Sequence, residues 1–402
     1  MSAAALFPPT RAAALQRIAA VDPVAYARSR NALGGAVSQL SPYLTHGIVS
    51  LPEVLAGVAA QHPIDAQHKF VYELGWRAYF HHVWAQRGDA ILHSLHPGPL
   101  PDAAYLQQLP DDIRHARTGI AVIDQAVRTL YATGYLHNHA RMWLASYVVH
   151  LRHVHWRTGA DWMIGHLLDG DLASNHLSWQ WVAGTGSHKP YLFNADNVAR
   201  FAPASWHSSG SAIDTSYEAL EAVARGGHLQ QRAAQHEGVP DPVRGGTPPP
   251  SAGHAPQPAE VAGRDVWLVH PWALGEVPDD LPDGCLLLGW WSSELHAAWP
   301  WSAARWAFVS TRMAALAPLA WYGSQPQLAA ALAGARSVQT WADPHVSPLL
   351  PPQVQQRTPA QLFRVVDVLC PSFSTWWRRS TQGVAQLTDL PGLAALGRPH
   401  RA

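Results

Sequence analysis

The sequence predicts an all-helical domain followed by a small parallel α/β domain. Three observations carry that prediction. Through residue 225, apolar residues recur at helical spacing and strand-like alternation is nearly absent. Residues 238–263 then hold seven Pro and five Gly in 26 positions, the composition of a linker. Beyond it, short apolar runs alternate with amphipathic stretches in the order strand, helix, strand, helix, which is how a parallel sheet is built. The expected units are a helical domain over 1–225, a linker over 226–263 and an α/β domain over 264–402. A chain of 402 residues is long for one core, so two domains are also the expectation from size.

Composition narrows the class. Hydrophobic content of 48% and charged content of 14% describe a folded chain. Net charge is zero with histidine neutral, so no global field draws nucleic acid, although a local basic rim is compatible with that total. Two cysteines, Cys285 and Cys370, are too few for a disulfide framework or a four-cysteine cluster and suit a reducing cytoplasm. The first residues do not read as a signal peptide, and no long apolar run predicts a membrane span. A cytoplasmic protein with no membrane partner is expected, with a monomer favoured. The 19 Trp and 24 His are compatible with aromatic packing or with stacking on a planar ligand.

In chain order, residues 3–20 read as a helix, Leu33-Gly34-Gly35 as a break, and residues 51–60 as a helix with Pro52 in its first turn. Between them, Val37-Ser38-Gln39-Leu40-Ser41 is either an ordinary N-cap or an anion site at a helix start. Residues 66–87 read as one helix. Glu73, Trp76 and Arg77 share a face at i, i+3, i+4, as a solvated pair beside a core indole or as a ligand face. His81-His82 reads as helix surface. Residues 88–117 are loop-rich, with Pro97, Pro99, Pro101 and Pro110. Residues 121–131 are amphipathic and end at Thr133-Gly134, a C-cap.

The stretch Tyr135 through Met142 then opens a long helix running to about Trp156, with Asn138, Arg141 and Met142 facing together, and a further helix covers 160–168. His150, His153 and His155 lack a metal-ligand pair, so no metal is expected. The stretch Asp169 to Trp181 follows: two carboxylates, two amides and two indoles, broken by Gly170. A polar heterocycle that must be hydrogen-bonded and supplied with electrons needs that mixture. Past the linker, strands are expected at 266–270, 285–290, 320–323 and 338–341. Helices are expected at 303–316 and 326–333, and helical character over 357–380 with Pro371 as a break. No G-x-G-x-x-G follows the first strand, so dinucleotide binding there is unsupported.

Four separated segments, in order, resemble the FAD-binding domain of the DNA photolyase and cryptochrome family. Val37-Ser38-Gln39-Leu40-Ser41 resembles its phosphate loop, with Val37 where the family has Thr; Tyr26 lies upstream near the distance of the tyrosine that touches the flavin phosphates. Glu73-Leu74-Gly75-Trp76-Arg77, Thr133 through Met142, and Asp169 through Trp181 resemble three further family motifs.

The resemblance implies FAD as cofactor and damaged DNA carrying a pyrimidine dimer as partner. It implies that Asp169 pairs with Arg141 beside the isoalloxazine, that Asp171 hydrogen-bonds the flavin ring or its ribityl side, that Gly170 is among the cofactor-binding residues, and that Asn175 sits at flavin N5. Trp179 and Trp156 match the first two members of an electron relay. Trp76 and Trp181 would flank a flipped-out dimer, with Glu73, Asn138 and Met142 on the lesion. The implied reaction is light-driven cyclobutane-dimer repair; a cryptochrome-like FAD photosensor is the rival. Departures are His139, where the family has a basic residue, and the lack of a third relay tryptophan over 96–107, for which Trp84 or Tyr105 could substitute. The α/β domain resembles a reduced antenna domain moved to the C-terminus, and its pigment is not specified.

Overall fold

The computed structural model describes residues 3–229, 236–248 and 253–396. Parts of the expected linker and the last six residues lie outside the described residues.

The helical domain forms as its punctuation dictates. Phe7-Pro8-Pro9 splits the first expected helix into Ala3–Leu6 and Arg11–Ala19, the second capped by Thr10. Helix α1 (Lys69–Arg87) is the longest. Helix α2 (Ala121–Thr133) stops at Gly134, whose left-handed φ of 64° serves as its C-cap. Helix α3 (Asn138–Ser146) runs on into a π-helical turn, Tyr147–Leu151, and stops there rather than at 156. The cause is local: His153 takes φ 46°, Val154 bridges Leu106, and the His155 side chain accepts from the Arg157 N–H to cap a new helix. That helix is α4 (Trp156–His166), so Trp156 opens it instead of closing the previous one. Helix α5 (Leu172–Ala183) carries the densest cluster of candidate residues and is capped by Asp171.

The C-terminal domain is a five-stranded, all-parallel sheet. Its strands are β1 (Asp265–Val269), β2 (Leu286–Ser292), β3 (Leu319–Gly323), β4 (Ser337–Trp341) and β5 (Val354–Arg357), in the spatial order β3-β2-β1-β4-β5. β5 was not expected from sequence; its short polar run Val-Gln-Gln-Arg carries little strand signal. Helix α6 (Ala303–Leu316) covers one face. Both faces of β1 are buried: Val266 and Leu268 meet Leu288 and Trp290, while Trp267 and Val269 face the helical domain. Over 357–380 only α7 (Phe373–Ser380) is helical, because Pro359 and Pro371 interrupt the rest.

The described part of the linker is pinned. Arg244 donates to the Asp161 and Trp162 carbonyls, and Arg244–Gly245 pairs antiparallel with Trp301–Ser302. The two domains share one apolar core in which Leu168, Leu172 and Ala173 join Trp267, Trp272, Trp301 and Phe308. His46 is fully buried at the seam, its ring nitrogens 2.6 Å from the Pro271 carbonyl and 2.8 Å from that of Leu168. Burial, with Arg305 nearby, pushes its pKa down to about 3, so the neutral ring donates to only one of them. Among the described residues no helix is long and apolar enough to cross a membrane.

Candidate flavin site

Helix α5 packs against both α1 and α3, and this brings the separated segments together. Asp169 and Asp171 flank Gly170 in the turn ahead of α5, and all three are buried. Arg141 on α3 donates from Nη2 to both oxygens of Asp169, at 3.0 and 2.8 Å. Asp171 Oδ1 accepts from the Ser174 N–H at 2.7 Å, which caps α5. Its Oδ2 lies 3.1 Å from His81 Nε2 and 3.9 Å from Arg77 Nη2. The first of these is close in distance but off the hydrogen-bond line. Burial works to raise the Asp171 pKa, but His81 and Arg77 together outweigh it and hold the carboxyl well below the usual range.

Asn175, one turn into α5, donates from Nδ2 to the Ala160 carbonyl at 3.0 Å. That leaves its amide oxygen as a fixed acceptor. A buried acceptor amide, a neutralised Arg–Asp pair and an ionised Asp171 suit a heterocycle with both N–H and carbonyl edges, so the residues present fit a flavin.

The proposed phosphate loop precedes the short helix Ser41–Thr45. Gln39 takes φ 50° there, and its Oε1 accepts from Arg17 at 2.7 Å. Val37, Ser38 and Ser41 are half-buried and Leu40 is in the core. Tyr26 packs edge-on against Phe70, with ring centroids 5.3 Å apart.

The expected lesion residues lie on the same three helices. Glu73 is paired with Arg30 at 3.2 Å and Lys69 at 3.5 Å. Trp76 is stacked flat on Phe373 of α7, with centroids 4.1 Å apart at 11°. Asn138 is exposed, with its Nδ2 3.6 Å from Met142 Sδ. Trp181 is 38% exposed and leans on Tyr191. Trp179 is buried with its ring over Gly159, where a Cβ would fall 2.4 Å from two ring carbons. Trp156 donates to Ser94 Oγ at 2.9 Å and meets His176 edge-on.

Of the two relay substitutes, Tyr105 packs edge-on against His155, and Trp84 is buried edge-on against His345 at 4.7 Å. His139 packs on Trp143 and Phe201, and burial lowers its pKa, so it presents no cation to a phosphate.

Residues 70–218 match the family model of the FAD-binding domain of DNA photolyase. This segment is similar to the flavin-binding domain of photolyases and cryptochromes. The deoxyribodipyrimidine photo-lyase of Streptomyces griseus is 38% identical over 157 residues, which is 38% of this chain and 33% of that protein. That of Escherichia coli is 32% identical over 167 residues, covering 40% and 35%. A cryptochrome DASH of Oryza sativa is 32% identical over 169 residues, covering 40% and 29%. The chain thus spans about a third of the length of the curated relatives it matches.

Sequence reasoning missed further contributors to this candidate site. His81, expected on the helix surface, turns to Asp171; its spacing of four from Arg77 was the available signal. Phe373, which covers Trp76, and His345, which reaches Leu172, come from the far end of the chain and left no local signal.

Proposed function

We propose that this protein carries out light-driven, FAD-dependent repair of cyclobutane pyrimidine dimers in DNA. The observation that carries the reading is the joint placement on α1, α3, α5 and the turn ahead of α5 of a flavin-compatible polar set and an aromatic–polar set suited to two linked pyrimidines flipped out of the duplex. When bound, FAD supplies the light absorption and the electron that opens the cyclobutane ring.

The chain's own residues do the rest. Asn175 offers a neutral acceptor that demands no proton. Arg141 neutralises Asp169, so the buried turn carries less uncompensated charge. Trp181 and the open side of Trp76 stack on the two pyrimidines, while Glu73 and Asn138 hydrogen-bond their edges and Met142 packs beside them. Trp179 and Trp156 serve as electron donors.

A visible spectrum of the purified protein tests the first half of the reading; a colourless protein that takes up no FAD overturns it. Blue light on the reduced protein with a dimer-containing oligonucleotide tests the second, with loss of dimers expected. Intact dimers with a reduced, flavin-loaded protein would instead support a cryptochrome-like photosensor. The neutral, inward-packed His139 favours that second reading, since it withholds one cation from the DNA backbone.

A further inference from the structure

In doubly wound sheets the crevice at the carboxyl ends of the strands, where the strand order reverses, is the usual ligand site. Here the reversal lies between β1 and β4. β1 ends into His270-Pro271-Trp272, and β4 into Ala342-Asp343-Pro344-His345. Trp272 and His345 stack at 4.4 Å and 11°. His345 Nδ1 contacts Asp343 Oδ1 at 2.7 Å, which fixes the N–H there, and Nε2 accepts from the Leu172 N–H at 3.3 Å. That N–H belongs to the first residue of α5 and has no partner inside the helix. His345 Nε2 is also 3.8 Å from Asp171. The crevice is therefore filled by the helical domain's own Asp169–Leu172 turn.

Arg305, from α6, closes the same turn from the other side. It is 2% exposed and lies over the Trp301 ring at 4.1 Å. Nη2 donates to the Gly170 carbonyl at 2.6 Å and Nη1 to the Ile164 carbonyl at 3.1 Å. Ile164 is in the last turn of α4, where carbonyls lack helical partners and a cation is favoured. Burial lowers the Arg305 pKa to about 9, with Asp169 and Asp171 opposing the fall, so the group stays charged near neutral pH. A Cβ on Gly170 would fall 2.3 Å from Arg305 Nη1 and 2.5 Å from the Ile164 carbonyl oxygen. The turn takes glycine because the helical domain's own Ile164 and Arg305 from the α/β domain both approach it closely.

We infer that the α/β domain acts as an intramolecular clamp on the flavin motif, with Arg305 and His345 as positioning residues that fix Asp169 and Asp171. Its bearing on the cofactor rests on the flavin reading above; the clamp itself does not. Two consequences follow: the crevice is closed to a separate ligand, and the two domains cannot part without releasing the motif.

The test is backbone amide exchange over residues 168–176 in the full chain, with and without FAD, for wild type, R305M, R305K and H345F, together with FAD affinity. R305M is expected to speed exchange in that segment at least tenfold while Ala121–Thr133 is unchanged, to weaken FAD at least tenfold, and to alter the visible circular dichroism of bound flavin. R305K, which keeps the charge but not the two-pronged grip, is expected to fall between. H345F is expected to act on the Leu172 amide. Wild-type exchange over 168–176 in R305M overturns the clamp; should R305M fail to fold, wild-type exchange in R305K does so. Accelerated exchange in a chain that takes up no FAD at all supports the clamp and sinks the flavin reading alone.

Discussion

Arg141 holds Asp169 through both carboxylate oxygens, and the Asp169 side chain is only 4% exposed. This pair ties α3 to the turn ahead of α5 across 28 residues of chain and leaves the two side chains charge-neutral together. Arg141→Ala leaves a buried carboxylate without its partner, at a cost of about 3 kcal/mol. Chemical denaturation is expected to show that loss together with loss of bound flavin. A variant as stable and as yellow as the wild type contradicts the assignment.

Gly159 is the floor under Trp179. A methyl group there would meet the indole at 2.4 Å, inside a packed core. Gly159→Ala is expected to destabilise by about 1–3 kcal/mol through overpacking. It is also expected to displace the Trp179 ring, read as slower bleaching of bound flavin by blue light in the presence of reductant. Unchanged bleaching in a folded variant removes Trp179 from the electron path.

Trp181 is a large, partly exposed indole at the mouth of the proposed lesion site. Stacking on a base is worth about 1–3 kcal/mol, so Trp181→Ala is expected to weaken binding of dimer-containing DNA by roughly tenfold or more. Affinity for undamaged duplex is expected to stay the same. Equal losses on both would mean that Trp181 contacts the backbone and not the lesion.

Buried histidines set the acid limb of stability. His46, His150 and His296 are fully buried, and burial first of all lowers their pKa values to about 3, 4 and 3. Unfolded histidine titrates near 6.5, so below that pH the unfolded chain binds protons that the folded chain refuses. Stability is therefore full above about pH 6.5 and falls as pH drops towards 4, by up to about 1.4 kcal/mol per pH unit for each residue. Asp171, with its depressed pKa, adds a further loss only below the ordinary carboxylate range. Unfolding free energies at pH 7.5, 6.0 and 5.0 check this; a flat profile refutes it.

The sequence by itself determined the helical domain, the parallel α/β order and the local character of each flavin segment. Gly134 as a cap, and Glu73, Trp76 and Arg77 on one helix face, are short-range patterns, set by helical spacing and by capping chemistry. The break at His153 was not legible, because it depends on Val154 pairing with the distant Leu106. What covers the motifs was not legible either. Phe373 on Trp76, His345 on Leu172 and Arg305 under Gly170 are contacts across 135 to 297 residues of chain. Spacing rules carry no information at that range. Only tertiary packing decides which buried polar group meets which, because each must find a partner within about 3 Å once water is excluded.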